Sequence, residues 1–357
     1  MESSEYQADF NQNTEKLNQK LEDYKSLLEI GLIISSENDI NSIAKEICYG
    51  LVTKYQTEYV LILLFQDEIQ KEMKYFIFEN FQETKKTLSF TEITPIKSFF
   101  HSHPNQVDFS TFSFLMPTEI INQLIQFKPE ILFPLKTTDN IFGFMMLSSN
   151  QGKQYSQDDI EFISSIASFA SVAIQNKKNY LKAITDLKTG LYIYTYFMQR
   201  MNEEIEVFKR YNDVFSVIMM DIDSFKDVND NFGHMIGDLV LLELAKIIKN
   251  CIRLNIDIPA RFGGDEFAVL FPRTSNYIAF QIAERIRSKV AQSTFFFDGK
   301  ELKFTVSIGV STIYSEINTP EEFINACDKA LYYSKNSGKN RVTSFYKNKF
   351  GKYPISK

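Results

Sequence analysis

Two short acidic segments are candidates for metal chemistry. Asp221 ends an apolar run over 215–220, and Asp265 and Glu266 stand together further along the chain. Carboxylates at the end of a buried strand are costly unless a cation neutralises them. If the two segments meet, their oxygen atoms suit Mg²⁺, which commonly shares its coordination shell with substrate phosphates. The sequence therefore predicts a magnesium site for a phosphoryl-type transfer.

Two glycines precede the second acidic segment. Gly263 and Gly264 separate strand-like runs over 258–263 and 266–271. Glycine accepts the positive φ angles that tight turns between strands require. We expect a hairpin that presents Asp265 at one edge of a sheet.

Four polar residues could bind a purine nucleotide. A carboxylate at Asp238 can accept hydrogen bonds from N1–H and N2–H₂ of guanine, and the amide of Asn229 can complement the remaining edge. Adenine lacks that pair of donors, so Asp238 favours GTP over ATP. Lys335 and Lys339 stand four residues apart and can hold a triphosphate from one side.

Composition sets broad limits. The 357 residues are 44% hydrophobic and 24% charged, with a net charge of −6, which argues against a general nucleic-acid binder. Three cysteines without metal or redox spacing indicate a reducing compartment. The polar N-terminus does not resemble a signal peptide, and the longest apolar run, 59–65, is too short to cross a bilayer. We expect a cytoplasmic protein with no nucleic-acid or membrane partner.

The hydrophobic pattern predicts an α+β protein with two domains. The first half has strand-like runs over 59–65, 75–79, 131–135 and 141–147, with a less regular stretch over 80–130. The second half alternates helices and strands from 194 to 345. The predicted boundaries are an N-terminal helix over 1–35, a sensor domain over 36–157, a connecting signalling helix over 158–186, a catalytic domain over 187–348 and a tail over 349–357.

The N-terminal helix has a short heptad seam. Leu17, Leu21, Tyr24 and Leu28 follow alternating spacings of four and three. The seam could pack on its own domain or form a helix pair with a second copy, and the spacing alone leaves both interpretations open.

Four segments of the second half resemble the GGDEF catalytic domain. They are DIDSFKDVNDNFGHMIGD (221–238), RFGGDEF (261–267), SIGVS (307–311) and ALYYSKNSGKNRV (330–342). The resemblance implies a diguanylate cyclase, an enzyme that joins two GTP into cyclic di-GMP. It also implies a nucleotidyl-cyclase or palm-like fold, with a central, mainly antiparallel sheet flanked by helices.

The resemblance also assigns roles to residues. The implied metal ligands are Asp221, the carbonyl of Ile222, Asp265 and Glu266. The implied catalytic residues are Asp221, Lys226, Asp265 and Glu266, with Glu266 near the ribose 3′-hydroxyl. The implied substrate-binding residues are Phe225 and Lys226 in a phosphate-facing loop, Asn229 and Asp238 at guanine, Gly263 and Gly264 at the turn, and Lys335 and Lys339 at the β- and γ-phosphates.

The implied reaction needs two chains. Each protomer of a two-fold homodimer would hold one GTP and Mg²⁺, and each 3′-hydroxyl would attack the α-phosphorus of the other nucleotide. The alternative is a non-enzymatic regulator that binds GTP or cyclic di-GMP. The RFGGDEF segment (261–267), which contains the signature loop of the family, is unchanged, and this favours the enzyme over the non-enzymatic regulator.

Two segments depart from the family pattern. At the start of the domain, Lys188 replaces the leucine that usually precedes the threonine, and Ile193 and Tyr194 replace a usual Asn-Arg pair. Leu254 replaces the arginine of the Arg-x-x-Asp product-inhibition site, although Asp257 is present and Arg253 is one position away. We expect weak inhibition by cyclic di-GMP.

The first half resembles a GAF sensor domain, with an antiparallel sheet and helices. The resemblance is carried by FPLKTTDNIFGFMMLSSNQGKQYSQDDIEFISSIASFASVAI (133–174), in which a glycine-containing strand precedes a long helix. It implies a small-molecule ligand that regulates the catalytic domain, and a cyclic nucleotide bounded by the 80–130 region is our first expectation.

Overall fold

The computed structural model describes residues 2–37, 39–65, 73–90, 92–138, 140–149, 154–297, 300–346 and 349–351. The chain divides into two compact units, Met1–Leu181 and Lys182–Lys357. Each unit combines helices with a sheet, so the α+β class is confirmed. None of the helices in these described ranges is both long and apolar enough to span a bilayer.

The first unit contains six named helices and six strands within the described residues. In chain order they are α1 (Glu2–Ser36), α2 (Ile40–Tyr55), β1 (Tyr59–Leu64), β2 (Lys74–Glu79), β3 (Gln82–Glu83), α3 (Thr94–Ser102), β4 (Val107–Asp108), α4 (Phe109–Leu115), α5 (Thr118–Leu124), β5 (Pro129–Lys136), β6 (Ile141–Ser148) and α6 (Gln157–Ile184). A 3₁₀ turn over Ile125–Phe127 precedes β5, and α6 continues past the unit boundary.

The strands of the first unit form an antiparallel sheet in the order β3-β2-β1-β6-β5-β4. Side chains from α2 and α6 pack on the face that includes Ile62, whereas α3, α4 and α5 pack on the face that includes Leu63. Every residue of β1 is buried because both faces of the sheet are covered.

The stretch over 80–130 is more regular than predicted, since it holds α3, α4 and α5. These helices have nine, seven and seven residues. Pro95 lies in the first turn of α3 and Pro117 is the N-cap of α5, positions that suit the fixed φ of proline. Helices this short give too few turns for a hydrophobic period to be recognised in the sequence.

The second unit is built around a seven-stranded sheet. Its elements are β7 (Tyr192–Ile193), α7 (Tyr194–Tyr211), β8 (Ser216–Ile222), α8 (Phe225–Phe232), α9 (His234–Lys249), β9 (Ile258–Gly263), β10 (Glu266–Phe271), α10 (Asn276–Gln292), β11 (Phe295–Phe297), β12 (Lys300–Leu302), β13 (Val306–Thr312), α11 (Pro320–Asn336), β14 (Val342–Tyr346) and β15 (Lys349–Gly351).

The sheet order is β15-β14-β13-β8-β10-β9-β7. Only the β13–β14 and β9–β7 pairings are parallel within the described strands, so the sheet is mainly antiparallel as predicted. All of β8 is buried, with Met220 facing α9 and α10 and Met219 facing α7 and α11. The segment predicted as a tail begins with β15, and residues 352–357 lie outside the described ranges.

Candidate active site

The two acidic segments adjoin at the end of the central strands. Asp221 on β8 is directly opposite Glu266 on β10, and on its other side it is opposite Ser307 on β13. Opposed residues of antiparallel strands project from the same face of the sheet, with Cβ atoms about 5 Å apart. The register therefore places both carboxylates on one face.

The hairpin between β9 and β10 needs its glycines for backbone reasons. Gly263 has φ 154° and Gly264 has φ 51°, values that disfavour residues with a side chain. A Cβ atom added at either position would meet no other atom within 4 Å. The space above the turn is therefore open, and Asp265 lies half-buried beside it.

Asp221 is the most buried of the three carboxylates Asp221, Asp265 and Glu266. Only 7% of the residue is exposed, and this burial raises the pKa of its carboxyl. The Nζ atom of Lys335 lies 2.7 Å from Oδ2 of Asp221 and opposes the rise, while the charges of Asp265 and Glu266 add to it. The ionised site thus requires a nearby cation.

The predicted metal ligands lie close together without forming a complete ligand cage. Across the described residues, no three His, Cys, Asp or Glu side chains are arranged to hold a metal ion. The backbone register nevertheless brings hard carboxylate oxygens to one edge of the sheet. Carboxylate oxygens of this kind suit a divalent cation.

A fourth acidic residue, Asp223, has a structural role. Its carboxylate accepts hydrogen bonds from Oγ1 of Thr305 at 2.6 Å, Oγ of Ser307 at 2.6 Å and the backbone N–H of Asn340 at 3.0 Å. These bonds connect the end of β8 with β13 and with the turn between α11 and β14. Asp223 therefore positions the segments that carry the other site residues.

Both predicted phosphate-binding lysines contact residues at or just after the end of β8. Lys335, near the end of α11, contacts Asp221, and Lys339 donates to Oγ of Ser224 at 2.8 Å. Lys339 and Asn340 have positive φ angles of 59° and 44°, so the turn is tightly folded. The structure brings the two lysines to the same end of the sheet as the acidic residues.

Phe225 and Lys226 lie in a helix and not in the predicted loop. They form the first turn of α8, which follows Ser224 at φ 58°. Phe225 packs against the core, whereas Lys226 is exposed. The helix was missed because its eight residues are mostly polar and contain two asparagines, which have low helix propensity.

The packing of α8 on α9 places Asn229 against Gly237, the residue that precedes Asp238. A Cβ atom at Gly237 would lie 2.0 Å from Oδ1 of Asn229, so only glycine leaves room for that amide. Asp238 is the next residue along α9. Gly237 is thus a positioning residue that sequence reasoning missed, because no local turn signal marks a glycine within a helix.

Asp238 is already engaged by a cation from the start of the unit. Nζ of Lys188 lies 2.7 Å from its Oδ1 and 2.8 Å from its Oδ2. The side chains of Lys188 and Asp238 are 57% and 47% exposed, respectively. An ion pair this exposed contributes little stability, so Asp238 can exchange Lys188 for another partner.

The turn that carries Lys188 is anchored to the glycine hairpin. Asp186 accepts hydrogen bonds from N–H and Oγ1 of Thr189, and it lies 3.2 Å from Nη1 of Arg261. Arg261 also donates to the carbonyl of Gly264 from Nε at 3.1 Å and from Nη2 at 2.7 Å. Burial opposes the ionisation of Asp186, but these donors hold its pKa below the ordinary value.

Comparisons with known proteins find similarity to one family over the second half of the chain. Residues 183–341 match the family model described as diguanylate cyclase, GGDEF domain. The chain is similar to diguanylate cyclase A of Treponema denticola, with 38% identity over 230 residues that cover 63% of this chain and 62% of that protein. It is also similar to response regulator PleD of Caulobacter vibrioides, with 42% identity over 162 residues, or 45% of this chain and 36% of that protein.

One of the similar solved structures is the GGDEF domain of DgcB from Caulobacter crescentus in complex with c-di-GMP. It shares 30% identity and has a TM-score of 0.44, with coverage of 45% of this chain and 93% of that chain. This chain spans less than two thirds of the length of the two curated relatives named above. The family-model match identifies residues 183–341 of this chain as a GGDEF domain.

Proposed function

We propose that the chain is a diguanylate cyclase that condenses two GTP into cyclic di-GMP and two pyrophosphates. The observation that carries this proposal is the register that sets Asp221 opposite Glu266, with Lys335 bound to Asp221 at the same edge. The GGDEF match and the name of the Treponema relative support the same activity.

In this proposal the chain supplies binding, orientation and charge. Asn229 and Asp238 bind the guanine, and Lys335 and Lys339 bind the β- and γ-phosphates. Asp221, Asp265 and the carbonyl of Ile222 would hold Mg²⁺, which supplies charge neutralisation at the triphosphate when bound. Lys335, which contacts Asp221 in the structure, would then be available to the phosphates.

The chemical step is a displacement at the α-phosphorus. The 3′-oxygen of one GTP forms a bond to the α-phosphorus of the other, and the bond from that phosphorus to pyrophosphate breaks. The hydroxyl proton passes to a base, and Glu266 and Asp265 are the two candidate side chains for this role. A second displacement, in which the 3′-oxygen of the other nucleotide attacks the remaining α-phosphorus and a second pyrophosphate leaves, closes the ring. Positioning of the two nucleotides supplies most of the acceleration.

The test is an assay of the full chain with GTP and Mg²⁺, with nucleotides separated by chromatography. We expect cyclic di-GMP from the wild type and a fall of about 100-fold or more in Asp265→Ala. Asp328→Ala, which removes an exposed carboxylate of α11, is the matched control and retains activity. GTP binding without any cyclic product would instead support the non-enzymatic regulator.

We further propose that the first unit is a GAF-type sensor for a small anionic ligand, with a cyclic nucleotide as the leading candidate. A cavity of about 400 Å³ lies where α3 meets the ends of β5 and β6. Its polar lining includes Lys136, Thr137, Thr138 and Asn140. Lys136 donates to the carbonyl of Pro104, which holds the ammonium near the cavity and available to a phosphate.

Thermal unfolding of the full chain with cyclic AMP and cyclic GMP tests the sensor. A ligand at 100 times its Kd stabilises the native state by about 2.7 kcal/mol. We expect one of the two to raise the Tm, and Lys136→Met to abolish that rise. Lys45→Met, which removes an exposed lysine paired with Glu83, is the matched control. An unchanged Tm in the wild type would reject cyclic nucleotides as the ligand.

We also propose a cytoplasmic homodimer. The proposed reaction needs two bound GTP molecules, and one chain presents one set of the nucleotide-binding residues described above. Cys48, Cys251 and Cys327 are buried thiols without disulfides, which is typical of a reducing compartment.

A further inference from the structure

Lys188 forms an ion pair with Asp238, the carboxylate that a guanine base would need. Its ammonium lies 2.7 and 2.8 Å from the two oxygens of Asp238, so it contacts both at once. A guanine edge donates N1–H and N2–H₂ to the same two oxygens when it pairs with a carboxylate. The ammonium and the base therefore compete for one set of acceptors.

Hydrogen bonds fix the backbone on both sides of Lys188, so the fold itself places the lysine beside Asp238. Asp186 accepts from Thr189, the N–H of Gly190 donates to the carbonyl of Asp186 at 2.7 Å, and the N–H of Asp186 donates to the carbonyl of Leu191 at 2.8 Å. These bonds close the turn around Lys188. Only the lysine side chain has to move to release Asp238, and its 57% exposure gives it water to move into.

We propose that Lys188 is an internal competitor for the guanine subsite and thereby sets the affinity of the enzyme for GTP. The inference rests on the proposed use of Asp238 as the guanine-binding carboxylate. The lysine leaves before chemistry begins, so it weakens ground-state and transition-state binding alike. Its removal then changes KM and not kcat.

The experiment compares wild type with Lys188→Met in the full chain. Equilibrium binding uses 3′-deoxy-GTP, which lacks the attacking hydroxyl and cannot react. From the strength of an exposed ion pair, we expect binding to tighten about two- to five-fold, with an equal fall in the KM for GTP and an unchanged kcat. Lys188→Arg keeps the charge and retains the affinity of the wild type.

Two controls separate this competition from a general charge effect. Lys246→Met removes a lysine that is also 57% exposed and lies 2.7 Å from Glu243, and it should leave the affinity unchanged. Binding of 3′-deoxy-ATP should not tighten in Lys188→Met, because adenine does not use the two oxygens of Asp238. In the Asp238→Ala background, Lys188→Met should bring no gain, since the lysine acts through Asp238.

Unchanged or weaker binding of 3′-deoxy-GTP in Lys188→Met would overturn the inference, as would a gain that persists without Asp238. The binding measurement does not depend on turnover. Absence of cyclic di-GMP would count against the cyclase assignment alone, whereas the comparison of affinities decides the role of Lys188.

Discussion

At the scale of single residues, Asp221 illustrates how one carboxylate can accept alternative cations. It is buried beside two other acids, and burial raises the pKa of its carboxyl despite the contact with Lys335. In the proposed enzyme, Mg²⁺ would neutralise the carboxylate that Lys335 neutralises in the structure, so the two cations would exchange at Asp221.

This exchange predicts a metal-dependent effect on stability. Lys335→Met should lower the free energy of unfolding by about 1 kcal/mol, because an ion pair that is partly exposed on the lysine side is lost. Mg²⁺ should raise the Tm of Lys335→Met more than that of the wild type, since the ion takes over the role of the ammonium. Lys339→Met is the control, because its partner is the Ser224 hydroxyl and carries no charge. Equal responses to Mg²⁺ in all three proteins would contradict the exchange.

A second residue-scale prediction concerns product inhibition. The carboxylate of Asp257 is buried and accepts from Nε of Arg253 at 3.0 Å, while Leu254 is 67% exposed and cannot bind a phosphate. Asp257 is therefore occupied within the chain. We expect cyclic di-GMP added at ten times the GTP concentration to reduce the initial rate less than about two-fold. Potent non-competitive inhibition in the rate assay would show that another arginine completes the site.

At the scale of elements, the turn after α6 depends on an ionised carboxylate. The pKa of Asp186 lies below its ordinary value of 3.8, because hydrogen bonds from Thr189 and the charge of Arg261 outweigh the cost of burial. A carboxyl whose pKa is lower in the folded state than in the unfolded state stabilises the fold when the pH is above its unfolded-state pKa. That stabilisation is lost as the pH falls through the folded-state pKa.

Asp186→Asn should therefore destabilise the protein by about 1–2 kcal/mol at pH 7, and the difference should shrink as the pH falls below 3.8. Denaturant unfolding of both proteins across this range measures the effect. Asp328→Asn, which alters an exposed carboxylate, is the control. A destabilisation that stays constant down to the acid transition would indicate that the charge of Asp186 contributes nothing.

The seating of α11 on β13 depends on one glycine. A Cβ atom at Gly309 would lie 2.4 Å from both the carbonyl oxygen of Cys327 and the backbone nitrogen of Leu331. Gly309→Ala should push α11 outward, cost about 1–3 kcal/mol of stability and displace Lys335. Both Tm and kcat should fall, and Ser311→Ala on the same strand should preserve kcat. A Gly309→Ala protein with wild-type kcat would show that α11 has room to adjust.

The sequence predicted long elements better than their contacts. The bounds of β9 and β10 agree with the prediction, because both are apolar runs that the two glycines separate. The contact between Lys188 and Asp238 spans 50 residues, and that between Asp223 and Asn340 spans 117. Such pairings depend on how elements pack in three dimensions, and no local period encodes them.

At the scale of the whole molecule, α1 offers two different faces. Ile34 is buried in the core of the first unit, with Leu27 and Ile30 packed against that core. The heptad residues Leu21 and Leu28 are instead 53% and 64% exposed. Packing within the domain therefore leaves the seam available, which supports the interpretation of α1 as a dimer helix.

If the heptad seam of α1 forms the dimer contact, substitutions in the seam should remove dimerisation and activity together. Leu21→Glu combined with Leu28→Glu should shift the full chain from dimer to monomer in light-scattering measurements and lower kcat at least about ten-fold, because two bound GTP must meet. Glu29→Ala, on the same helix, is the control and should remain dimeric. A monomeric but fully active double variant would remove α1 from the proposed assembly.

The network around Asp223 has a consequence for biosynthesis. Its carboxylate joins β8 to a backbone amide at Asn340, which the ribosome adds more than a hundred positions later. The hydrogen bond that fixes the lysine-bearing turn beside β8 therefore cannot form until Asn340 has been added. A polypeptide that terminates before this residue should lack a complete nucleotide site, even if it already contains the glycine hairpin and the acidic strand.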